Sequence, residues 1–187
     1  MQTFYIDKIS DVKANIEELE RKLKVKVVIK GKQVTIDSSD GMNEYEASVI
    51  FEAIQFGFSV NKALLLTDPD VIFRKINLKD YTRRKDMDEV RGRLIGTHGR
   101  TRNTIEETAD AEILVGESAV GIICHAESIE KATEAVTNLI KGSKQANVYR
   151  FLERMNAEKK KYRGDLGIKS DKKKQQAEDI DSEAEED

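Results

Sequence analysis

The sequence predicts an α+β protein made of two tandem copies of one small module. Each copy is a three-stranded antiparallel sheet with helices packed on one face. Three observations predict it. The order helix, strand, turn, strand, helix occurs twice along the 187 residues. Apolar residues recur every three or four positions in the helical stretches, and β-branched runs between turn signals mark the strands. A Gly-X-X-Gly turn joining two short helical patterns occurs in the second copy and is missing from the first.

The first copy occupies residues 1–66. Residues 3–6 supply one strand. Val12, Ile16, Leu19 and Leu23 form a helical stripe. A strand over 25–29, the turn Lys30-Gly31-Lys32, a strand over 34–36 and a helix over 43–56 follow. Gly31 suits the tight hairpin bend.

The second copy occupies residues 67–144. It opens with the turn Thr67-Asp68-Pro69-Asp70, which holds the chain's single proline. A strand over 71–76 leads to the glycine turn at 96–99. Then come a strand over 112–115, a bend at Gly116, a strand over 120–124 and a helix over 128–141. The closing helices match in pattern: Ala47, Phe51, Ile54 and Gly57 correspond to Ala132, Val136, Leu139 and Gly142. Residues 145–163 form a C-terminal helix with the stripe Val148, Phe151, Leu152 and Met155. Residues 164–187 read as a disordered tail that ends in seven acids without a base (Glu178, Asp179, Asp181, Glu183, Glu185, Glu186, Asp187).

The formal net charge of −3 hides an asymmetry. Between Arg74 and Arg102 there are ten bases (Arg74, Lys75, Lys79, Arg83, Arg84, Lys85, Arg91, Arg93, Arg100, Arg102) and four acids (Asp80, Asp86, Asp88, Glu89), a local balance of +6. Such a patch suits a polyanionic partner. Cys124 is the single cysteine, so no intrachain disulfide framework is expected. No signal pattern or membrane-spanning apolar run is visible, and a cytoplasmic protein is expected. Trp is absent and aromatics make up 6%, which argues against broad aromatic platforms for bases.

Enzyme chemistry finds little support. Cys124 and His125 are adjacent on a strand, so their side chains point to opposite faces and cannot pair as nucleophile and base. Two histidines and one cysteine do not make a usual zinc site. Gly96-Thr97-His98-Gly99 lacks the spacing of a nucleotide phosphate loop. No catalytic residue, metal or cofactor is expected.

The chemistry concentrates at Val90-Arg-Gly-Arg-Leu-Ile-Gly-Thr-His-Gly-Arg-Thr-Arg-Asn-Thr-Ile105. Gly96 and Gly99 let the backbone approach a ligand. Amides from Thr97 to Thr101 sit at the positive end of a helix. Arg91, Arg93, Arg100 and Arg102 add permanent charge. Leu94, Ile95, Ile105, Ile113 and Leu114 are candidates for an apolar floor under bases, though most of them must be core. His98 lies exposed in the loop.

This layout resembles the type I KH module, whose Gly-X-X-Gly loop holds about four nucleotides of single-stranded RNA. Residues 1 to about 156 resemble the archaeal KH proteins of small-ribosomal-subunit assembly, relatives of the eukaryotic partner-of-Nob and Dim-type factors. The tandem modules, the segment 92–107 and the ending Asn147-Val-Tyr-Arg-Phe-Leu-Glu-Arg154 carry that resemblance. It implies binding near the 3′ end of small-subunit rRNA, cooperation with the endonuclease that matures that end, and a link to the alpha subunit of initiation factor two. A KH adaptor for mRNA or RNA-decay machinery, and a protein-interaction scaffold with a vestigial loop, are the alternatives.

Aligning Ile16 with Ile105 places Asp7-Lys8-Ile9-Ser10 opposite the glycine loop and Asp11 opposite Arg100. The first copy then has no glycines there, and Asp7 would turn negative charge toward a phosphate. It is therefore expected to be degenerate and to serve as a scaffold.

Overall fold

The computed structural model describes residues 2–165. The acidic stretch 178–187 lies outside them, so the tail expectation concerns residues the structure does not describe.

The first half runs β1 (Gln2–Tyr5), α1 (Ile9–Ala14), α2 (Ile16–Leu23), β2 (Lys26–Lys30), β3 (Gln33–Asp37), α3 (Gly41–Phe56) and α4 (Val60–Ala63). Its sheet has the order β1-β3-β2, antiparallel throughout. The second half runs β4 (Val71–Asn77), α5 (Met87–Ile95), α6 (Arg100–Ala109), β5 (Ala111–Val115), β6 (Ala119–His125), α7 (Ala126–Lys141) and α8 (Gln145–Asp165). Its sheet repeats the order, β4-β6-β5, again antiparallel. The class is α+β. The last helix reaches Asp165, two residues beyond the expected 163.

Helix ends follow local chemistry. Asp40 caps α3 by accepting from the Met42 amide at 2.9 Å, and Asp86 caps α5 by accepting from Asp88 and Glu89. Gly57 and Gly142 close α3 and α7 with φ of 121° and 107°.

The halves repeat one another, but in a register different from the one the string Ile-Glu-Glu suggests. In the first half the Glu20 carboxylate accepts from the Val27 amide at 2.8 Å. In the second, Glu106 accepts from the Ile113 amide at 2.8 Å. Lys24 and Asp110 end the two helices with φ of 53° and 54°. Glu20 thus matches Glu106, and Leu19, not Ile16, matches the core residue Ile105. The expected alignment is three residues off, about one helical turn, because buried positions recur at that interval. In the corrected register Ser10 to Lys13 lie opposite Gly96 to Gly99, and the chain there is the helix α1. Asp7 pairs with Lys32 at 2.7 Å instead of facing a ligand. Asp11 accepts from the Val60 amide at 2.8 Å and so holds α4.

Each half has its own core. Phe51, Leu19, Val34 and Ile36 anchor the first; Leu94, Ile105, Ile122 and Leu139 anchor the second. The outer face of the second sheet is covered by the first half. Phe56 and Phe58 meet Phe73 of β4 with ring centroids 6.1 and 6.0 Å away. Gly121 makes room for them, since a Cβ there would lie 2.7 Å from both Phe56 and Phe58. Ile123 and Leu114 pack into the same core.

Candidate nucleic-acid interface

The glycine loop is a single tight turn between α5 and α6. Gly96 has φ 73° and ψ 176°, a combination open only to glycine, and its amide donates to the Gly92 carbonyl at 2.8 Å. A Cβ at Gly96 would fall 2.1 Å from the Thr101 hydroxyl. Gly99 has φ 77°, but a Cβ there would meet nothing nearer than Asn103 Oδ1 at 3.7 Å. Between them His98 takes the left-handed conformation, φ 52° and ψ 31°, with its side chain exposed. The Gly99 amide donates to the Gly96 carbonyl at 3.2 Å and the Arg100 amide to the Thr97 carbonyl, so the turn closes on its own carbonyls. The first turn of α6 adds amides that no carbonyl of that helix can satisfy.

The loop is held from behind. Thr101 is 2% exposed, and its hydroxyl accepts from the Gln145 side-chain amide at 2.7 Å. Gln145 also reaches the Arg93 carbonyl at 3.4 Å. The starts of α6 and α8 and the end of α5 therefore meet directly behind the loop. In front, Thr97, His98, Arg100, Asn103 and Thr104 border a shallow open hollow, with Glu107 on its lip.

A second wall stands beside the loop. The Ile113 amide leaves the edge of β5 toward Glu106, while Leu114 and Glu112 pair with β6. By the alternation of an antiparallel ladder, Val115 presents its backbone groups to the same free edge. The α5 helix lies against β5 on this side.

The family model for a eukaryotic-type KH domain (KH domain type I), the one drawn from the second KH domain of PNO1, matches residues 72–157. A KH domain-containing protein of Methanocaldococcus jannaschii is 32% identical over 161 residues, which cover 82% of this chain and 71% of that one. The Dim2p protein of Pyrococcus horikoshii is 33% identical, with a TM-score of 0.72 over 82% of this chain and 99% of that one.

The chain belongs to the Dim2p and Pno1 family of KH-domain proteins.

A second solved KH structure is similar: the aDim2p chain of an a/eIF2alpha–aDim2p–rRNA complex from Pyrococcus horikoshii. It is 32% identical, with a TM-score of 0.75, over 84% of this chain and 94% of that one. The RNA-binding protein pno1 of Drosophila melanogaster is 32% identical over 135 residues, and the chain spans 56% of its length. The matched KH region runs from β4 into α8, so the last helix is included in it.

The KH structure sorts the expected site residues. Gly96, Thr97, His98, Gly99 and Arg100 come together at the loop surface. Leu94, Thr101, Ile105 and Ile113 do not join them: they are 2%, 2%, 1% and 5% exposed and belong to the interior. Thr101 can offer a ligand only its backbone. Leu114 faces the first half, with its Cδ2 against Gly57. Ile95 is half-buried and outside both cores, so of the expected apolar residues it alone stays partly open beside the loop.

The arginines also divide. Arg100 is exposed at the loop. Arg102 reaches Glu106 at 3.4 Å and Asn103 at 3.1 Å, and Arg91 pairs with Asp88 at 2.8 Å. Arg93 lies on the other side of α5 and donates to the Ser143 carbonyl at 2.9 Å. Sequence reasoning missed Gln145 and Glu106. Glu106 had a signal, since a glutamate seven residues before a buried strand valine or isoleucine occurs in both halves. Gln145 had none, because its contact spans 44 residues.

Proposed function

We propose that this chain binds single-stranded RNA at the Gly96–Gly99 loop, and that its target is the 3′ end of small-subunit rRNA during ribosome maturation. The loop geometry carries the reading. Its backbone is fixed in a conformation that excludes a side chain at Gly96, and it sets the positive end of the ten-residue helix α6 beside the exposed Arg100. A strand laid across it meets phosphate donors at the loop, Ile95 on the α5 side and the free edge of β5 opposite. Phosphate contacts set position and the edge reads bases.

The names of the relatives support this direction. They include RNA-binding and pre-rRNA-processing proteins and a chain held in a complex with rRNA and a/eIF2alpha. On that basis the alpha subunit of initiation factor two is a proposed partner, and the rRNA-maturing endonuclease is a further one. The first half is a degenerate KH copy whose loop position is closed by α1. It serves as a wall behind the second. The chain works in the cytoplasm as a binding protein and carries out no bond chemistry itself.

The test is binding of a short strand from the small-subunit rRNA 3′ end, compared with a scrambled strand, to wild type and to a Thr97→Asp, His98→Asp variant. Preference for the native strand, its loss in the variant, and a fall in affinity with salt are expected. Equal binding of all strands by both proteins would instead mean a vestigial loop on a protein-interaction scaffold.

A further inference from the structure

A second basic surface lies across α5 from the loop cleft. At about 100° per residue, Arg93 stands roughly 160° around the helix from Ile95. It therefore points away from the cleft, toward the junction of α7 and α8. There Gly142 ends α7 with φ 107°, and the space its missing side chain leaves is bordered by Arg84 Nη2 and Arg93 Nη1, 3.6 and 3.7 Å from where a Cβ would stand. Lys141 places its ammonium 5.7 Å from the centre of the Tyr81 ring. Tyr81 is 38% exposed, and Lys141 and Lys144 are exposed as well. Among the described residues one acid, Glu89, answers Arg84. Of the rest of this charge, Arg93 satisfies the Ser143 carbonyl and Lys141 rests over the Tyr81 ring.

An exposed aromatic ring among cations is the combination that holds single-stranded nucleic acid: cations take phosphates and the ring stacks a base, whatever its identity. The surface also adjoins the loop from behind. Gln145, the residue after Lys144, is bonded to both Thr101 and the Arg93 carbonyl. A strand that leaves the loop and turns round the end of α5 reaches this junction.

We infer that Tyr81, Arg84, Lys141 and Lys144 form a second RNA-backbone site that lengthens the bound strand beyond the nucleotides at the Gly96–Gly99 loop. The inference rests on the proposed RNA reading of that loop. It adds a sequence-independent segment to it, so the protein grips a longer single strand than one KH cleft holds, about four nucleotides.

The experiment measures affinity of the full chain for a strand of about 5 nucleotides from the small-subunit rRNA 3′ end, and for the same strand extended to about 12 in either direction, so that only the longer ones outreach a single cleft. One extension is expected to bind more tightly. If it gains two phosphate contacts, that advantage shrinks about 7-fold between 50 and 200 mM salt, from a slope of roughly 0.7 per contact. Lys141→Glu with Lys144→Glu removes the advantage and leaves the short strand unchanged. Tyr81→Ala reduces the advantage without changing its salt dependence. Both lysines are exposed, and thermal unfolding verifies that the variant is folded. A long-to-short ratio equal to wild type in the lysine variant overturns the inference. Failure of the loop reading is a different result: the Thr97→Asp, His98→Asp variant would then bind the short strand as well as wild type does.

Discussion

The Gln145 side-chain amide donates to the Thr101 hydroxyl at 2.7 Å and so ties the first turn of α8 to the first turn of α6. Thr101 is the residue against which Gly96 is packed. The hydrogen bond therefore braces the glycine loop through one intermediate side chain. Gln145→Ala should lower stability by about 1 kcal/mol, the usual net value of one such bond. Urea denaturation of Gln145→Ala, Thr101→Val and the double variant measures the coupling. An additive pair would show that the contact does not brace the loop.

The two glycines should differ in what they tolerate. Gly96→Ala forces a Cβ to within 2.1 Å of Thr101 Oγ1 and adds a backbone conformation alanine avoids. It should cost about 3 kcal/mol or more and reduce RNA affinity at least about 10-fold as the loop shifts. Gly99→Ala meets only ordinary contacts and should cost about 1 kcal/mol, the left-handed penalty alone. Thermal unfolding and strand-binding titrations on both variants check the order.

Glu106 and Glu20 should behave as twins. Each carboxylate accepts from a strand amide at 2.8 Å. Alanine at either position strands that amide and should cost about 1–3 kcal/mol, whereas glutamine keeps an acceptor and should cost less. Only the substitution at Glu106 should also weaken RNA binding, because β5 borders the proposed cleft. Equal effects of both on RNA would contradict the assignment of the site to the second half.

Cys124 should be inert to alkylation at neutral pH. Burial in the second core pushes its thiol from 9.0 up to about 11. Folding favours the neutral thiol, so its contribution to stability is complete below pH 9 and is lost as pH climbs through 11. The alkylation rate of the native chain should stay far below that of the urea-unfolded chain at mildly alkaline pH. Equal rates would mean that the thiol is open to solvent.

The sequence disclosed the helix stripes, the hairpins and the glycine loop, because each is written in local spacing. Leu19 and Leu23 lie on one face of α2 whatever surrounds them, although Val12, expected on the same stripe, belongs to the separate helix α1. It was less informative about side-chain destinations. Arg93, two residues from Arg91 on the same short helix, points to the opposite side and satisfies a carbonyl 50 residues away. Leu114, next to the core residue Ile113, packs on the first half. Adjacent strand residues always part this way, and only the docking of a whole second body decides which face is wet. The repeat of Ile-Glu-Glu was misleading for a related reason. A shift of one helical turn preserves the apolar stripe, so only the pairing of Glu20 and Glu106 with their strand amides fixes the register.

The aromatic contact at Gly121 carries a consequence for portability. With Phe56 and Phe58 lying where a side chain at 121 would stand, the second sheet has no face of its own to give to water. A fragment starting at residue 67 would keep the glycine loop intact in sequence, yet it would expose Phe73, Leu114 and Ile123 and tend to self-associate. The half without the glycine loop therefore shields the apolar sheet face of the half that has it. Grafting the loop-bearing half onto another protein would require a replacement for that cover.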